Sequence, residues 1–256
     1  MSGGRLGGRS APYAGKGVWY LAEASDRIRL GLLSIAYLDA VMLRSPSGLY
    51  LFEEGSGTQL TDSSGNANHG SYLNSALPST PGLITQGAKS LNAVSNQYAN
   101  APGAVASSTS GFSIVMWVQW SHSTNQIICE RNANAGYSIQ NYDGANAGKI
   151  GVTSSNPSAF LYLVSSIAIN DGNPHCVVFV FGATAAASYI YIDGVDRTTR
   201  PNGNASPSYG STTVWDIGAR AGTLAMNGRI DAVSFHPSLL SLADAQALNT
   251  AGRAPQ

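Results

Sequence analysis

The chain has 256 residues, an apolar fraction of 43%, 11% charged residues, and Lys+Arg balanced by Asp+Glu at 14 each. That apolar content excludes a disordered protein, and the balanced charge excludes non-specific nucleic-acid binding, which needs clustered Lys and Arg to neutralise phosphates. A net charge of zero suits a protein held in an assembly, and 29 glycines among many Ser, Thr and Asn favour tight turns between short strands.

Residues 1–17, MSGGRLGGRSAPYAGKG, form a Gly-rich arm carrying Arg5, Arg9 and Lys16, without the apolar segment and cleavage site of a secretory signal. Such a segment has little to bury and loses much entropy when ordered. In GVWYLAEASDRIRLGLL, Ser25 is a candidate helix cap. SIAYLDAVMLRSP reads as a short helix stopping before Pro46, because the residue before a proline avoids the α region. The run IRLGLLSIAYLDAVMLR is interrupted by Asp39, flanked by Arg27 and Arg29, and too short to span a bilayer comfortably. It is expected to pack against protein.

From Gly48 the pattern changes to strands: GLYLFE, GSYLN, KSLNAV and QYANA. GFSIVMWVQW is the longest alternating stretch, with Phe112, Ile114, Met116 and Val118 on a core face and Ser113, Val115, Trp117 and Gln119 on the other. QIICER, GYSIQNY, KIGVTS, AFLYLVS, HCVVFVF and SYIYIDG continue the series, and Asp193-Gly194 is a hairpin turn pair. TVWDIGA and NGRIDAVSFHP close the strand region, followed by a helix at SLADAQALN. Many short strands without alternating helices predict a sandwich or jelly roll. Cys129 and Cys176 lie in apolar strand-like runs and read as two buried thiols, with one disulfide as the alternative; their spacing is not that of metal ligands.

Glu occurs only at positions 23, 53, 54 and 130. Consecutive strand residues point to opposite faces, so Glu53 and Glu54 cannot flank one glycosidic bond from a regular strand. Glu54 is expected to open the turn by accepting N–H bonds from GSGT. Glu130 has no carboxylate two residues away, and no Ser/His/Asp ordering or glycine elbow supports acyl transfer, so no catalytic residues are expected. His175 reads as a hydrogen-bonded strand residue and His69 as filling a turn. The loop DSSGNANHG offers Asp62, Asn66 and Asn68 as hard oxygen donors of the kind calcium takes; the alternative is that Asp62 forms an Asx turn. YDGANAG and DGVDRTTRPNGNASPSYG read as long polar loops bearing Tyr142, Arg197, Arg200 and Tyr209. An aromatic face with polar fingers suits a sugar, which has an apolar face and a hydroxyl rim. Trp120 and Trp215 fit core or sheet-edge packing.

The order of YLDAVMLRSPSGLYLFEEGSGTQLTDSSGNANHG, GFSIVMWVQW, NDGNPHCVVFVF, YIYIDGVD, DIGAR and NGRIDAVSFHPSLLSLADAQAL resembles a concanavalin A-like lectin/glucanase domain of the laminin-G-like type, over residues 36–250. The resemblance implies an all-β, two-sheet antiparallel jelly-roll sandwich with a short helical N-terminal extension. Residues 1–45 would be an arm and anchoring segment, and residues 46–256 the jelly-roll domain. It implies binding of glycans or proteins without chemistry, since the Glu-x-Asp-x-x-Glu strand motif of catalytic members is missing. It also implies a structural calcium between the loop of Asp62, Asn66 and Asn68 and Asp231 of NGRIDAV; Asp231 bonded to backbone amides is the alternative. Pro174 stands where the family commonly has Trp before His175. GKGVWYLAEASDRIRLGLL is similar to openings of bacteriophage virion and tail proteins. The expectation is a non-catalytic virion decoration protein on a capsid or tail, made in the host cytoplasm. Residues 1–45 would hold it to other virion subunits in a symmetric or homo-oligomeric assembly. A glycan-binding adhesion module for host or bacterial surface polysaccharide is the alternative; no nucleic-acid partner and no membrane span are expected.

Overall fold

The computed structural model of the chain describes residues 35–76, 78, 82–84, 89–91, 97–106, 111–131, 136–156, 159–203, 214–220 and 223–253. The Gly-rich arm and the Ser25 cap lie outside them. The described elements are helix α1 (Ile35–Met42), strands β1 (Gly48–Tyr50), β2 (Gln59–Leu60), β3 (Gly70–Leu73), β4 (Lys89–Leu91), β5 (Tyr98–Ala101), β6 (Phe112–Gln119), β7 (Gln126–Arg131) and β8 (Tyr137–Asn141), then β9 (Lys149–Asn156), β10 (Ala159–Ala168), β11 (His175–Phe181), β12 (Tyr189–Ile192), β13 (Val195–Asp196), β14 (Thr198–Gly203), β15 (Trp215–Ile217), β16 (Gly228–His236) and helix α2 (Leu242–Gly252).

Two antiparallel sheets face each other in a jelly-roll-like sandwich. The seven-stranded sheet runs β1-β16-β6-β11-β12-β13, with β4 also paired to β16; the nine-stranded sheet runs β14-β10-β9-β8-β7-β15-β5-β3-β2. Strand alternation fills the space between them. Ile114, Met116, Val118 and Phe179 from the first sheet meet Cys129, Ile139, Val152 and Ile217 from the second in one buried core. Phe112 stacks on Phe181 with ring centroids 4.5 Å apart and meets Tyr137 edge-on at 5.3 Å. Trp215 and Trp120 are both buried.

The seven-stranded sheet is apolar on its second face too. Val115, Trp117, Val178 and Tyr191 lie under Tyr37 and Val41 of α1 and Ala245 and Leu248 of α2. Trp117 meets Tyr37 edge-on at 6.3 Å. A Cβ at Gly252 would come within 2.3 Å of Trp117, so only glycine lets the end of α2 approach this ring. Burial on both faces is why β6 and β11 are nearly continuous apolar runs.

α1 ends before Pro46, as its sequence predicts: Leu43 N donates to Asp39 O, and Ser45 turns left-handed at φ 47°. α2 opens on a capping box, in which Ser241 Oγ accepts from Asp244 N and Asp244 Oδ2 accepts from Ser241 N. Arg44 pairs with Asp244 at 2.9 Å and ties the two helices together. The Asp193-Gly194 turn has φ 53° and 75°, both positive as a tight two-residue hairpin requires.

Some local expectations are corrected. The GLYLFE strand stops at Tyr50, because Phe52 adopts φ 54° and turns the chain. Stretches read as loop contain the short strands β2, β13 and β14, each paired along one border of a sheet. Pro201 fits β14 because that strand is a sheet edge, where a missing N–H costs no ladder bond. At the border strand β1, Leu49 N donates to Asp62 Oδ1 at 2.9 Å and Leu49 O accepts from Ser63 N at 2.7 Å. Both cysteines are free and buried, Cys129 in the core between the sheets and Cys176 beneath the helices.

Candidate functional site

The two sheets differ on their outward faces, and the difference follows from strand register. In β7, β8 and β15 the inward residues are Cys129, Ile139 and Ile217, so Glu130, Ser138 and Asp216 face out. Pairing then joins one residue from each strand of the nine-stranded sheet into a single row. On one side of Glu130 it runs through Asp216, Asn100, Ser71 and Gln59. On the other it runs through Ser138, Thr153, Tyr162 and Asn202. Every member has a hydrogen-bonding side chain.

The centre of the row is charged and organised. Arg220 Nε donates to Glu130 Oε1 at 3.1 Å and Oε2 at 2.9 Å, and Ser138 Oγ donates to Glu130 Oε2 at 2.8 Å. The Glu130 side chain is 3% exposed and that of Arg220 33%. Beside them, Asn100 Nδ2 donates to Asp216 Oδ1 at 3.1 Å. Glu130 and Asp216 are direct cross-strand neighbours, a spacing that places their Cβ atoms about 5 Å apart. The sequence offered no acidic residues on one face, but this register brings two together from strands 86 positions apart in the chain (216 − 130).

One end of the row is aromatic. Gly151 faces outward, and a Cβ there would lie 2.8 Å from Tyr142 Cε2, so the missing side chain gives the Tyr142 ring its place. Tyr162 meets that ring edge-on with centroids 6.1 Å apart. Asn146, in the turn Gly144–Asn146, donates from Nδ2 to the Tyr162 hydroxyl at 3.2 Å.

Among the residues expected at a sugar site, Tyr142 therefore lies on this face. Arg200 does not offer its guanidinium to a ligand: it donates to Ala185 O at 2.9 Å and Ser188 O at 2.7 Å and sits 4.9 Å over the Tyr189 ring. Arg197 is half-buried where the chain crosses from one sheet to the other, its N–H donating to Ile190 O. Tyr209 lies outside the described residues. Tyr162, Thr153, Asn100, Asp216 and Arg220 were not singled out in the sequence. The signal for Asn100, Thr153, Tyr162 and Asp216 was the polar alternation in YANA, IGVTS, FLYLV and WDI, but alternation alone does not reveal which strands are neighbours.

The residues expected to hold calcium do not fit it. Asp62 Oδ1 accepts from Leu49 N and Ser64 N, while Oδ2 accepts from Ser64 Oγ and Asn68 N, all at 2.8–2.9 Å. Four donors thus converge where a cation would need bare oxygen. Asn66 and Asn68 turn their Nδ2 groups to Pro46 O and Ser47 O. Asp231 Oδ2 accepts from Leu83 N and Ile84 N, both at 2.9 Å. Among the described residues, no three His, Cys, Asp or Glu side chains gather as a metal site.

The remaining polar residues hold structure. Glu54 accepts from Thr61 N at 2.7 Å and from the Tyr72 hydroxyl at 2.6 Å, in place of the GSGT amides expected. His69 Nδ1 accepts from Asp62 N. His175 bridges Asp193 at 2.7 Å and Asp171 at 3.0 Å, and Arg253 reaches Asp193 at 2.8 Å. Burial alone would lower the His175 pKa, but the hydrogen bonds to Asp193 and Asp171 outweigh it and the pKa is raised. His236 is the opposite case: burial lowers its pKa to about 4. Its Nδ1–H donates to Arg44 O, which fixes Nε2 as the acceptor from Ser234 Oγ.

A two-sheet sandwich with helices on one side and a polar, partly aromatic face on the other defines a lectin-type domain. A family model described as the concanavalin A-like lectin/glucanases superfamily, Laminin_G_3, matches residues 93–246, more than half of the chain, and the chain belongs to that family. Solved structures share the fold. Domain 4 of AbnA, a GH43 extracellular arabinanase from Geobacillus stearothermophilus, in complex with arabinotriose, is 20% identical with a TM-score of 0.58, over 80% of this chain and 98% of that one. Botulinum neurotoxin type C, which depends on interaction with two ganglioside molecules to get into cells, is 17% identical with a TM-score of 0.60, over 80% of this chain and 51% of that one. The binding domain of Paraclostridial Mosquitocidal Protein 1 is 14% identical with a TM-score of 0.57, over 79% and 52%. This chain spans about half the length of the toxin chains it matches. No curated protein sequence matches it. Among the described residues, no helix is long and apolar enough to cross a membrane.

Proposed function

We propose that the chain is a glycan-binding module that holds sugar chains on the outer face of the nine-stranded sheet and does not cut them. The observation that carries this reading is the row of nine hydrogen-bonding side chains ending beside the Tyr142–Tyr162 pair. Sugars present hydroxyl rims and apolar ring faces, and such a row with a tyrosine at its end answers both. Two structurally similar proteins, an arabinanase domain in complex with arabinotriose and a ganglioside-dependent toxin, are in keeping with it.

Binding without cleavage follows from the state of the carboxylates. Glycoside hydrolysis needs one carboxyl group as acid and a second as base or nucleophile. Glu130 and Asp216 are close enough to serve, but Arg220 and Ser138 occupy both oxygens of Glu130 and bury it. With both oxygens accepting from protein donors, Glu130 is not placed to meet a leaving group or an attacking water. Titration of the protein against a broad oligosaccharide panel, with a reducing-end assay alongside, tests the reading. Saturable binding lost in Tyr162→Ala, with no release of reducing ends, is the expected result. Silence across the whole panel would sink it.

Residues 1–45 we assign to carrying this module on a larger assembly, a virion in keeping with the Gly-rich arm. Helix α1 covers Trp117, so the test deletes residues 1–34 and spares the helix. The shortened chain should keep its sugar binding and stop co-sedimenting with particles; undiminished co-sedimentation rejects the assignment.

A further inference from the structure

We propose that Lys149, Asn146 and Tyr162 form a subsite at the aromatic end of this face that takes the carboxylate of an acidic sugar, a uronate or a sialate; the inference rests on the glycan reading above. Strand alternation brings the three together. In β9, Ile150 and Val152 point into the core, so Lys149 faces out with Gly151 and Thr153. In β10, Leu161 and Leu163 point inward and Tyr162 faces out beside Thr153. The turn between β8 and β9 places Asn146 within reach of both. Tyr142 N donates to Lys149 O at 3.0 Å, Gly148 N to Tyr142 O at 3.1 Å, and Asn146 N to Asp143 O at 3.2 Å. Gly148 has φ 74°, and a Cβ there would lie 2.1 Å from Asn170 Oδ1, so this corner needs glycine.

The hydrogen bonds fix which way each group points. An ammonium only donates, so Lys149 Nζ meets Asn146 at its Oδ1, 3.4 Å away. That leaves Asn146 Nδ2 toward Tyr162, whose hydroxyl oxygen accepts it at 3.2 Å. No other group is bonded to that hydroxyl among the described residues, so its proton is free for a ligand. The corner thus offers the Tyr162 O–H and the remaining N–H groups of Lys149, donors all. A sugar hydroxyl accepting there must still place its own proton elsewhere. A carboxylate accepts only, and it carries the charge opposite to that of Lys149. Among the described residues no carboxylate lies within ion-pair distance of this lysine. Asp143 is exposed in the same turn, while Glu130, held by Arg220, and Asp216 stand two and three strands from β9. Lys149 and Tyr162 are both half-buried, so a ligand can reach them and solvent screens their bonds less than at a fully exposed site.

Calorimetric titration of the full chain tests this with oligogalacturonate and sialyllactose, each beside its methyl ester, which keeps the sugar and removes the charge. At least one acid should bind on the order of tenfold more tightly than its ester, the worth of one hydrogen bond to a charged group. Raising the salt concentration should narrow that gap. Lys149→Gln should bind acid and ester alike. So should Asn146→Asp, which sets a carboxylate of the protein's own against Lys149. Urea midpoints shifted no further than by a surface substitution verify that both variants are folded. Acids and esters bound alike by the parent, a gap that salt leaves untouched, or one that survives both substitutions would overturn the carboxylate subsite and leave glycan binding standing. Silence from the acids while neutral oligosaccharides bind would do the same. Failure of every sugar would overturn both.

Discussion

The outward faces of the two sheets have the same pleat and opposite chemistry. Across the seven-stranded sheet one register row reads Leu49, Ser234, Val115, Val178 and Tyr191, and two helices cover it. Across the nine-stranded sheet the corresponding row is polar on every strand, with no helix over it among the described residues. Alternation sets which residues face out; helices are recruited only where those residues are apolar. The covered face is devoted to stability, and the open one is where the proposed ligand would lie.

The largest effect that sharpens this contrast is Trp117→Ala. It leaves a cavity beneath α1 and α2 and should cost about 3–5 kcal/mol in urea unfolding. A loss comparable to that of a surface substitution would mean the helices do not depend on this ring. Acid should act next, and on the same covered side. The folded pKa of His236, about 4, lies below its ordinary 6.5. The unfolded chain therefore takes up the proton first, so stability present above pH 6.5 is lost as pH falls toward 4, by about 3 kcal/mol. His236→Gln should flatten that limb, and a profile identical to the parent would reject it.

A smaller change is expected on the alkaline side. The raised pKa of His175 gives stability fully present below 6.5 and lost as pH rises through the folded value. The groups around it are Asp171, Asp193 and, on the latter, Arg253. Thermal melts of His175→Gln should lack the decline. Tyr162→Ala on the open face should cost about 1 kcal/mol or less while abolishing sugar binding. If that substitution unfolds the protein, the two faces do not divide stability from binding. Smallest of all, chelation with EDTA should leave the melting temperature unmoved, because the Asp62 oxygens already accept four protein donors.

The parts of the fold legible in the sequence were those where one residue type repeats with the pleat. β6 and β11 announced themselves by length and apolar content, and the Asp193-Gly194 turn by its two residues. The strands β2, β13 and β14 did not, because two to six residues beside Pro or Gly, with no alternation long enough to read, hold their shape only through a neighbouring strand. Glu54 was placed at the right corner with the wrong partners, since Thr61 and Tyr72 reach it only after the chain has doubled back. Of the candidate site, Tyr142 could be read from an aromatic in a polar stretch. The row could not. Asn100, Glu130 and Asp216 are far apart in the chain, and only the order β7-β15-β5 makes them neighbours.

The contact between Asp62 and Leu49 reaches beyond the single molecule. By occupying the one outward N–H and C=O of a border strand, the 62–63 turn denies a neighbouring copy the hydrogen bonds it would need to extend the sheet. Crowded copies would then stay separate along that seam, and a sheet running from one copy into the next would have to use another border strand.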